Sequence, residues 1–559
     1  MMMRGRIAAA VMLFITCGLS PRLWADPRPT VTFRSIVYAP HDPLDAIQPL
    51  KRSQYRNPIL PGFHPDPSIV RVGGDYYVVN SSFAFYPGLP IFHSRDLVHW
   101  TQIGNAIDRP DMFDFNGQGI ARGLFAPTFR YHAGLFYIIN TSVDRGGNYI
   151  ITAHNVAGPW SNPALLRGFD GIDPDLFFDD DGRVWVASNG PPMGSPRYDG
   201  HRALWLQEVD LRAMKMIGPR TIIVDGGVHP ADRPIWTEGP HIIKRHRYYY
   251  LIAAEGGTAG EHSETVYRAS KVTGPYVPGP INPILTQRDL DPARANPVYA
   301  TGHADFVQTP SGDWWAVFLG TRPYRANLSN IGRETFLLPV KWQDDWPLIL
   351  PARTAVPQAA RAPRLASAIP AVLRRKSAAV PDDWLMLRTP RVRWFKSIGT
   401  DGFQFEPRAE ALSGDGNPSF LARRQEQPIE TVTVDLDNQV SRPGDHAGLA
   451  AFADENHFYT WCVWQTDTGR ELVVTLRNGA DSQPDGHVVA RLPLAPTTPR
   501  LKLRLNVHDP EYAFDYKLPG RRWQTLLAHA DATMLASEAS NQFTGVVIGP
   551  YAARQLAQK

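Results

Sequence analysis

The sequence predicts an all-β protein, in which a five-bladed β-propeller is followed by an antiparallel β-sandwich. One short phrase recurs five times between residues 60 and 320. The copies lie roughly 45 to 65 residues apart, which is the spacing of propeller blades. Beyond Trp384, short alternating apolar runs return and predict the sandwich. Neither region carries a long period of 3.6 residues, so helices are expected to be minor.

The N-terminal segment is predicted to be a secretory signal peptide over 1–25, followed by a polar leader over 26–52 with little periodicity. Two Arg residues precede an apolar run and a small residue at Ala25. The run is too short to span a bilayer, so no membrane insertion is expected. Cys17 fits a lipoprotein attachment site poorly. The mature chain then has only Cys462, and export without disulfides is compatible with a periplasmic or secreted bacterial protein.

The propeller is expected over 53–351, and each copy of the phrase is predicted to be a β-hairpin. The phrase is an apolar stretch, a tight turn and aromatic residues that open a second apolar stretch, which is typical of two antiparallel strands. The copies read DPSIVRVGGDYYVV from Asp66, APTFRYHAGLFYII from Ala126, DPDLFFDDDGRVWVA from Asp173, EGPHIIKRHRYYYLI from Glu238 and HADFVQTPSGDWWAVF from His303.

Three acids stand at equivalent places in these copies. The innermost strands of a propeller line a central channel, so Asp66, Asp173 and Glu238 are predicted to meet at the axis. Like charges and partial desolvation raise the pKa of carboxyl groups, so three acids kept together indicate a use. Each acid taken alone has a simpler interpretation as a turn cap, because Asp-Pro and Asp-Gly pairs are common turn chemistry.

A linker over 352–380 and a sandwich over 381–559 complete the predicted organisation. The linker stretch is rich in Ala, Pro and Arg and breaks both helical and strand periodicity. The net charge of +4, from 58 basic and 54 acidic residues, forms no concentrated field, so nucleic-acid binding is not expected. Fifteen Trp and twenty Tyr residues indicate stacking surfaces instead.

The segment NPILPGFHPDPSIVRVGGDYYVVNSSFAFYPGLPIFHSRDLVHW resembles the opening of glycoside hydrolase family 43, specifically its two-domain β-xylosidases. The resemblance continues in order through FAPTFRYH, IDPDLFFDDDG, TEGPHIIK, AEGGT, TGHADFV and GRETFLLPV, and through LARRQ and ENHFY in the second domain. It covers nearly the whole mature chain. It implies a general base at Asp66, a general acid at Glu238, and at Asp173 an acid that raises the pKa of Glu238 and orients it.

Glycosidic cleavage places different demands on the two main carboxyl groups. Glu238 must hold a proton near neutral pH, so its pKa is expected well above about 4.3, with the shift supplied by negative Asp173. Asp66 must stay ionised and should have a more polar or better hydrogen-bonded surrounding. The resemblance implies inversion, with acid and base roughly 6.5 to 9.5 Å apart. Glu255, in AEGGT, is the nearest rival acid, and its position favours a structural turn role.

Further substrate-binding residues follow from the resemblance. Phe83 stands where the family places an aromatic wall, and Phe125 stands where many relatives carry Trp, so a smaller wall could change which pentose fits. His303 is expected to contact substrate, an axial water or an ion, with an ordinary buried histidine as the alternative. Arg333 could hold a carboxylate or a sugar hydroxyl. No cofactor is expected to be required; the resemblance allows a calcium ion near His303, although no ligand cluster in the sequence demands a metal.

The predicted function is an exo-acting, inverting glycosidase that releases xylose from xylo-oligosaccharides. An α-L-arabinofuranosidase acting on arabinose-containing glycans stays open, because both sugars present similar hydroxyl geometry near the scissile bond. A non-catalytic sugar-binding propeller would keep the aromatic residues but has no need for an acid and a base. The sandwich is expected to be a lid that makes the enzyme exo-acting, with carbohydrate binding and simple packing as alternatives. Oligomeric state and substrate length are not settled by the sequence.

Overall fold

The structure is a computed structural model that describes residues 30–365, 381–437, 439–496, 498–540 and 543–554. The predicted signal peptide, with Cys17, and residues 366–380 of the predicted linker lie outside these ranges. The described residues form strands almost throughout, with two four-residue helices, α1 (Leu44–Ile47) and α2 (Ser537–Ser540), and two 3₁₀ turns. In these ranges no helix has the length and apolar character needed to cross a bilayer.

Five blades form the propeller, as predicted; each has four main strands, and two of the blades carry a short fifth strand. The strands up to its end are β1 Val31–His41, β2 Gln54–Arg56, β3 Ser68–Val72, β4 Asp75–Val79, β5 Phe85–Tyr86, β6 Gly88–Ser94, β7 Thr101–Ile107, β8 Gly123–Leu124, β9 Thr128–His132, β10 Leu135–Val143, β11 Gly147–Ala153, β12 Ala164–Leu165, β13 Ile172–Phe178, β14 Val184–Gly190, β15 Ala203–Asp210, β16 Lys215–Asp225, β17 Glu238–Arg245, β18 Tyr248–Glu255, β19 Ser263–Ala269, β20 Val277–Pro278, β21 Leu285–Thr286, β22 Tyr299–Gln308, β23 Trp314–Thr321, β24 Arg333–Gln343, β25 Trp346–Leu348 and β26 Ala359–Arg361.

Each predicted hairpin is the inner half of one blade. The blades run β3-β4-β6-β7, β9-β10-β11-β12, β13-β14-β15-β16, β17-β18-β19-β20 and β22-β23-β24-β25, with antiparallel neighbours throughout. The first strand of each blade is its innermost strand, so it lines the channel at the axis. The five polar or small residues that open the phrases therefore lie around one end of the axis.

The sandwich follows with antiparallel strands in two sheets. Its strands are β27 Leu385–Leu387, β28 Phe395–Ile398, β29 Gly402–Phe405, β30 Ser419–Arg424, β31 Ile429–Asp437, β32 His446–Asp454, β33 His457–Thr466, β34 Gly469–Asn478, β35 His487–Leu494, β36 Arg500–His508, β37 Glu511–Lys517, β38 Gln524–Asp531 and β39 Val547–Ala553. One sheet runs β28-β29-β1-β31-β36-β37-β38, and the other runs β35-β34-β33-β32-β39-β30-β27-β5. Cys462 is buried in the second sheet as a free thiol.

Two strands from outside 381–559 complete the sandwich, which the sequence did not predict. The expected leader contains β1, which pairs antiparallel with β29 and β31 and buries Phe33 in the sandwich core. The prediction that this leader has little periodicity was therefore wrong over β1. The pattern VTFRSIVYAPH is typical of a strand, but polar residues on both sides of it obscured the signal. The short β5, from the first blade, pairs with β27. Within the expected linker, β26 pairs with β2.

Candidate active site

A cavity of about 460 Å³ opens at the end of the propeller axis where the innermost strands begin. All seven site residues predicted from the sequence line it, namely Asp66, Phe83, Phe125, Asp173, Glu238, His303 and Arg333. The blade repeat therefore brings together residues that are up to 267 positions apart, as Arg333 and Asp66 are.

The backbone at the cavity has an unusual conformation, which directs several of these side chains into it. Asp66, Asp173 and His303 have φ values of 51°, 53° and 53°, in the left-handed region that non-glycine residues rarely adopt. Bulges interrupt the ladder close to Asp173, Glu238 and His303, and such bulges commonly redirect side chains next to active sites. Gly239 also has positive φ, and a Cβ there would lie 2.6 Å from the His303 ring, so glycine is needed after Glu238.

Asp66 is held in an ionised form by its neighbours. Burial alone would raise the pKa of this carboxyl, but the charges of Arg333 and His303 and a hydrogen bond from Ser81 outweigh that effect and lower it. Ser81 Oγ donates to Asp66 Oδ2 at 2.6 Å, and Arg333 Nη1 donates to Asp66 Oδ1 at 3.2 Å. The side chain thus has the hydrogen-bonded surrounding expected for a group that accepts a proton.

Glu238 has the opposite character, because its pKa is raised to about 8. Burial is the largest cause, and the negative charge of Asp173 is the second. Asp66 adds to the increase, whereas the positive charges of His303 and Arg333 oppose it. The pKa of Glu238 is therefore raised as expected, but burial contributes more to the increase than the charge of Asp173 does.

His303 lies beside Asp173 as a cation. Burial would lower its pKa, but a hydrogen bond to Asp173 and the charges of Asp66, Asp173 and Glu238 raise it to about 9. His303 Nε2 is 3.6 Å from Asp173 Oδ2. Over the described ranges no three His, Cys, Asp or Glu side chains are grouped to hold a metal, so the calcium ion that the resemblance allowed near His303 has no side-chain ligand cluster there.

Aromatic rings form one wall of the cavity, and one of them comes from the sandwich. The ring centroids of Phe83 and Phe125 are 5.8 Å apart, and Phe543 lies 6.1 Å from each. The Arg333 guanidinium lies 5.4 Å from the Phe543 ring centroid and donates to the Phe543 carbonyl at 3.4 Å. The sandwich was expected to be a lid, but the sequence did not predict which of its residues reaches the cavity. A lone aromatic in the polar stretch ASNQFTG before β39 was the only signal.

The mouth of the cavity includes further residues that sequence reasoning did not find. Two segments beside blade 4 and three positions at blades 2 and 3 contribute them, namely Ile235, Trp236, Gly256, Gly257, Thr258, Ala259, Arg122, Ala126 and Ile172. Arg122 is tied back by two hydrogen bonds to Asp144, at 2.7 and 2.9 Å. Some of them lie in motifs named above, such as Gly256 and Gly257 in AEGGT, but the motifs predicted no place at the cavity for them, because the positions become neighbours only when the blades close into a ring.

Glu255 lies outside this lining. It ends β18 and accepts a hydrogen bond from the backbone N–H of Val228 at 3.0 Å. Burial raises its pKa, and the backbone hydrogen bond opposes that increase. The contact fits the structural role expected from its position.

The arrangement combines two carboxyl groups of opposite proton affinity with an apolar wall. At neutral pH, Glu238 holds a proton while Asp66 does not. Such a pair can give a proton to one side of a bound molecule and accept one from the other. The aromatic wall suits the C–H faces of a small polar ring, as in most small-ligand pockets.

Comparison with known proteins matches both parts of the chain. Glycosyl hydrolases family 43 matches residues 55–347, and the beta xylosidase C-terminal concanavalin A-like domain matches residues 376–559. A xylosidase/arabinosidase of Butyrivibrio fibrisolvens is 41% identical over 74% of this chain and 80% of that protein. A non-reducing end alpha-L-arabinofuranosidase of Bacteroides ovatus is 33% identical over 90% of this chain and 92% of that protein. The crystal structure of a GH43_12 protein from a capybara gut metagenome has 33% identity and a TM-score of 0.86, covering 94% of this chain and all of that one.

Proposed function

This chain belongs to glycosyl hydrolases family 43, and from that membership we propose that it is an exo-acting, inverting glycosidase that releases xylose from the non-reducing ends of xylo-oligosaccharides. The observation that carries the proposal is the opposite pKa shift of two buried carboxyl groups in one cavity. The pKa of Asp66 is lowered, whereas that of Glu238 is raised to about 8. An acid and a base are thereby ready in the same site at neutral pH.

In the proposed reaction, Glu238 gives its proton to the glycosidic oxygen while the bond from that oxygen to the anomeric carbon breaks. Asp66 takes a proton from a water molecule whose oxygen attacks the anomeric carbon from the opposite face. The products are a free sugar of inverted configuration and an alcohol. Burial keeps Glu238 protonated, and the negative charge of Asp173 adds to that effect. Exchange of protons with solvent restores both carboxyl groups.

Exo action is supported by the wall that the sandwich adds. Phe543 contacts Phe83 of blade 1 and Arg333 of blade 5, so the cavity is closed on that side. A cavity of about 460 Å³ with one closed side has room for a terminal sugar. We also propose, from the N-terminal pattern, that the protein is exported to the periplasm or the exterior.

Release of arabinose is the second candidate. Two relatives of high coverage carry arabinosidase or arabinofuranosidase in their names. Purified protein should be assayed with the 4-nitrophenyl glycosides of β-D-xylose and α-L-arabinofuranose. A lack of release from both would remove the proposal, and the ratio of the two rates would choose between the sugars. The anomer first formed, followed by proton NMR, would test inversion.

The role of Glu238 can be tested with two leaving groups. One substrate is a disaccharide such as xylobiose, and the other is the 4-nitrophenyl glycoside. Glu238→Gln should reduce kcat on the disaccharide about 10²- to 10⁴-fold, the usual contribution of a general acid. The loss on the 4-nitrophenyl glycoside should be smaller, because nitrophenolate leaves without being protonated. Glu255→Gln is a matched control, since glutamine can still accept the hydrogen bond from Val228. An equal loss on both substrates would contradict the acid role.

A further inference from the structure

A tryptophan stands at the cavity mouth two residues before Glu238 on the entry to β17. Trp236 lines the cavity and has a φ of 52°. Its backbone N–H donates to the Gly200 carbonyl at 2.9 Å, and the carbonyl of Ile235 accepts from Gly256 at 2.9 Å. Tyr198 Oη donates to the Pro234 carbonyl at 2.8 Å. Three hydrogen bonds, two with the segment that holds Tyr198 and Gly200 and one with Gly256, therefore fix the position of this rim.

A cation covers one face of the ring. The Arg202 guanidinium carbon is 4.0 Å from the indole centroid of Trp236, within the range of a cation–π contact. Arg202 does not line the cavity, whereas Trp236 does. The indole therefore meets the cavity with a part of its surface that Arg202 does not cover. The contact with Arg202 fixes its orientation before any ligand binds.

The space in front of the ring is kept open by glycines. Gly256 and Gly257 have φ values of 99° and 71°, which disfavour any side chain there. A Cβ at Gly257 would lie 3.4 Å from Ile235 Cδ1 and 3.9 Å from Trp236 Cδ1. A longer side chain would therefore grow directly beside the apolar rim. Ile235 is itself 40% exposed, which leaves an apolar surface facing solvent at the entrance.

The direction in which a substrate leaves the cavity follows from the closed side. Phe543 and Arg333 close the cavity over blades 1 and 5. Glu238, which touches the scissile oxygen in the proposed reaction, stands on blade 4. The part of the substrate beyond that oxygen must therefore extend over the open side, along the rim that holds Trp236.

We infer that Trp236, backed by Arg202 and flanked by Ile235, is a platform on which the sugar ring next to the scissile bond stacks. The leaving group that this site selects is a pyranose-sized ring of a glycan rather than a small alcohol. The inference rests on the proposed function and adds a specificity residue to it.

The test compares two substrates that carry the same pentose. One is the disaccharide whose second ring reaches the rim, xylobiose if xylose is released or an arabinofuranosyl-xylose if arabinose is released. The other is the corresponding glycosyl fluoride, whose leaving group has no ring. Trp236→Ala should lower the ratio of kcat/KM for the disaccharide to that for the fluoride about tenfold, equivalent to about 1.4 kcal/mol. Trp236→Phe should restore part of the ratio.

A matched control is Trp523→Ala in the sandwich, where Arg504 lies 4.2 Å from the indole centroid and the ring is away from the cavity. That variant should keep the wild-type ratio. Should Trp236→Ala melt early, Trp236→Leu keeps bulk, removes the aromatic face and gives the same comparison. An unchanged ratio in a folded Trp236 variant overturns the inference alone. A wild-type protein inactive on both substrates overturns the proposed function and the inference with it.

Discussion

Asp66 and Glu238 bring the same functional group into one cavity, and their surroundings separate their proton affinities. The carboxylate of Asp66 lies 3.2 Å from Arg333 Nη1, and the carboxylate of Asp173 lies 3.6 Å from His303 Nε2. A charge on Glu238 would have no such dedicated partner in the buried site, so this carboxyl stays protonated. The sequence identified the acids from their places in the repeat. It could not rank burial above neighbouring charge, because burial depends on how the blades close.

The first prediction concerns the pH dependence of kcat/KM. The proposed reaction requires protonated Glu238, whose pKa is about 8, so the rate should fall as pH rises through about 8. Activity also requires ionised Asp66, whose pKa is lowered, so the acidic limb should lie below the usual range of aspartate. A bell-shaped profile measured on the disaccharide, whose leaving oxygen needs the proton, would check this. A rate that keeps rising beyond pH 9 would contradict the assignment of Glu238.

The second prediction concerns Asp173→Asn. Removing this negative charge takes away the second-largest cause of the raised Glu238 pKa. The basic limb of the profile should therefore move down by about one pH unit. Asp180→Asn is an isosteric control on the same hairpin, with a carboxyl that is 83% exposed and paired with Lys244. The hypothesis fails if both variants keep the wild-type basic limb.

Residues of the cavity wall were predictable only where the repeat or a familiar motif marked them. Phe83, Phe125 and Arg333 lie in such motifs. Phe543 and Trp236 do not, because the first belongs to another domain and the second to a connection between blades. Their role comes from three-dimensional proximity, to which a single sequence gives no periodic signal.

At the scale of the elements, the innermost strands form a polar belt beneath the cavity, with one member from each blade. Arg130 Nη2 lies 2.5 Å from Asp175, and its Nη1 lies 3.0 Å from Asp305. Ser68 Oγ donates to Asp305 Oδ2 at 2.6 Å, and His241 Nδ1 is 3.4 Å from Asp175. The belt ties all five blades together at the axis. The pattern of polar residues inside apolar strands was visible in the sequence, but their pairing depends on the ring.

The third prediction is that Arg130→Met destabilises the propeller. Asp175 and Asp305, with side chains 0% and 2% exposed, would keep their charges without the cation that neutralises them. Removing one partner of a buried ion pair typically lowers the free energy of unfolding by about 3 to 5 kcal/mol. Urea unfolding at pH 7, followed by circular dichroism, would measure the loss. Arg183→Met, from an exposed pair with Asp181, should leave the midpoint close to that of the wild type.

The pH dependence of that loss gives a second check. In the wild type, the pKa of both aspartates is lowered: burial would raise it, and the charge of Arg130 outweighs that effect. Their contribution to stability is present above the unfolded pKa of about 3.9 and is lost as pH falls through the folded value. Without Arg130, protonation removes the unpaired charges. The difference between variant and wild type should therefore shrink as pH falls toward about 4, and a constant difference would contradict this explanation.

At the scale of the whole molecule, the propeller and the sandwich are joined by exchanged strands rather than by a linker alone. The strand β1 lies before the propeller in sequence but at the centre of a sandwich sheet. The strand β5 lies within blade 1 but at the edge of the other sheet. Alternating patterns predicted the strands of each part, whereas these crossovers could not be predicted, because pairing partners over several hundred residues leave no local mark. The crossovers help to fix the sandwich against the cavity that Phe543 closes.

The fourth prediction is that Phe33→Ala in β1 unfolds the sandwich early and removes activity with it. Phe33 is fully buried in the sandwich core, so its truncation should cost about 3 to 5 kcal/mol. Val37→Ala, on the same strand with a 54% exposed side chain, should be near neutral. Because Phe543 belongs to the sandwich, the Phe33 variant should lose hydrolysis of the disaccharide at a temperature at which the propeller still gives its β-sheet signal. Limited proteolysis at that temperature should cut within 381–559 first. If activity survived until the propeller itself melted, the sandwich would not be the part that completes the active site.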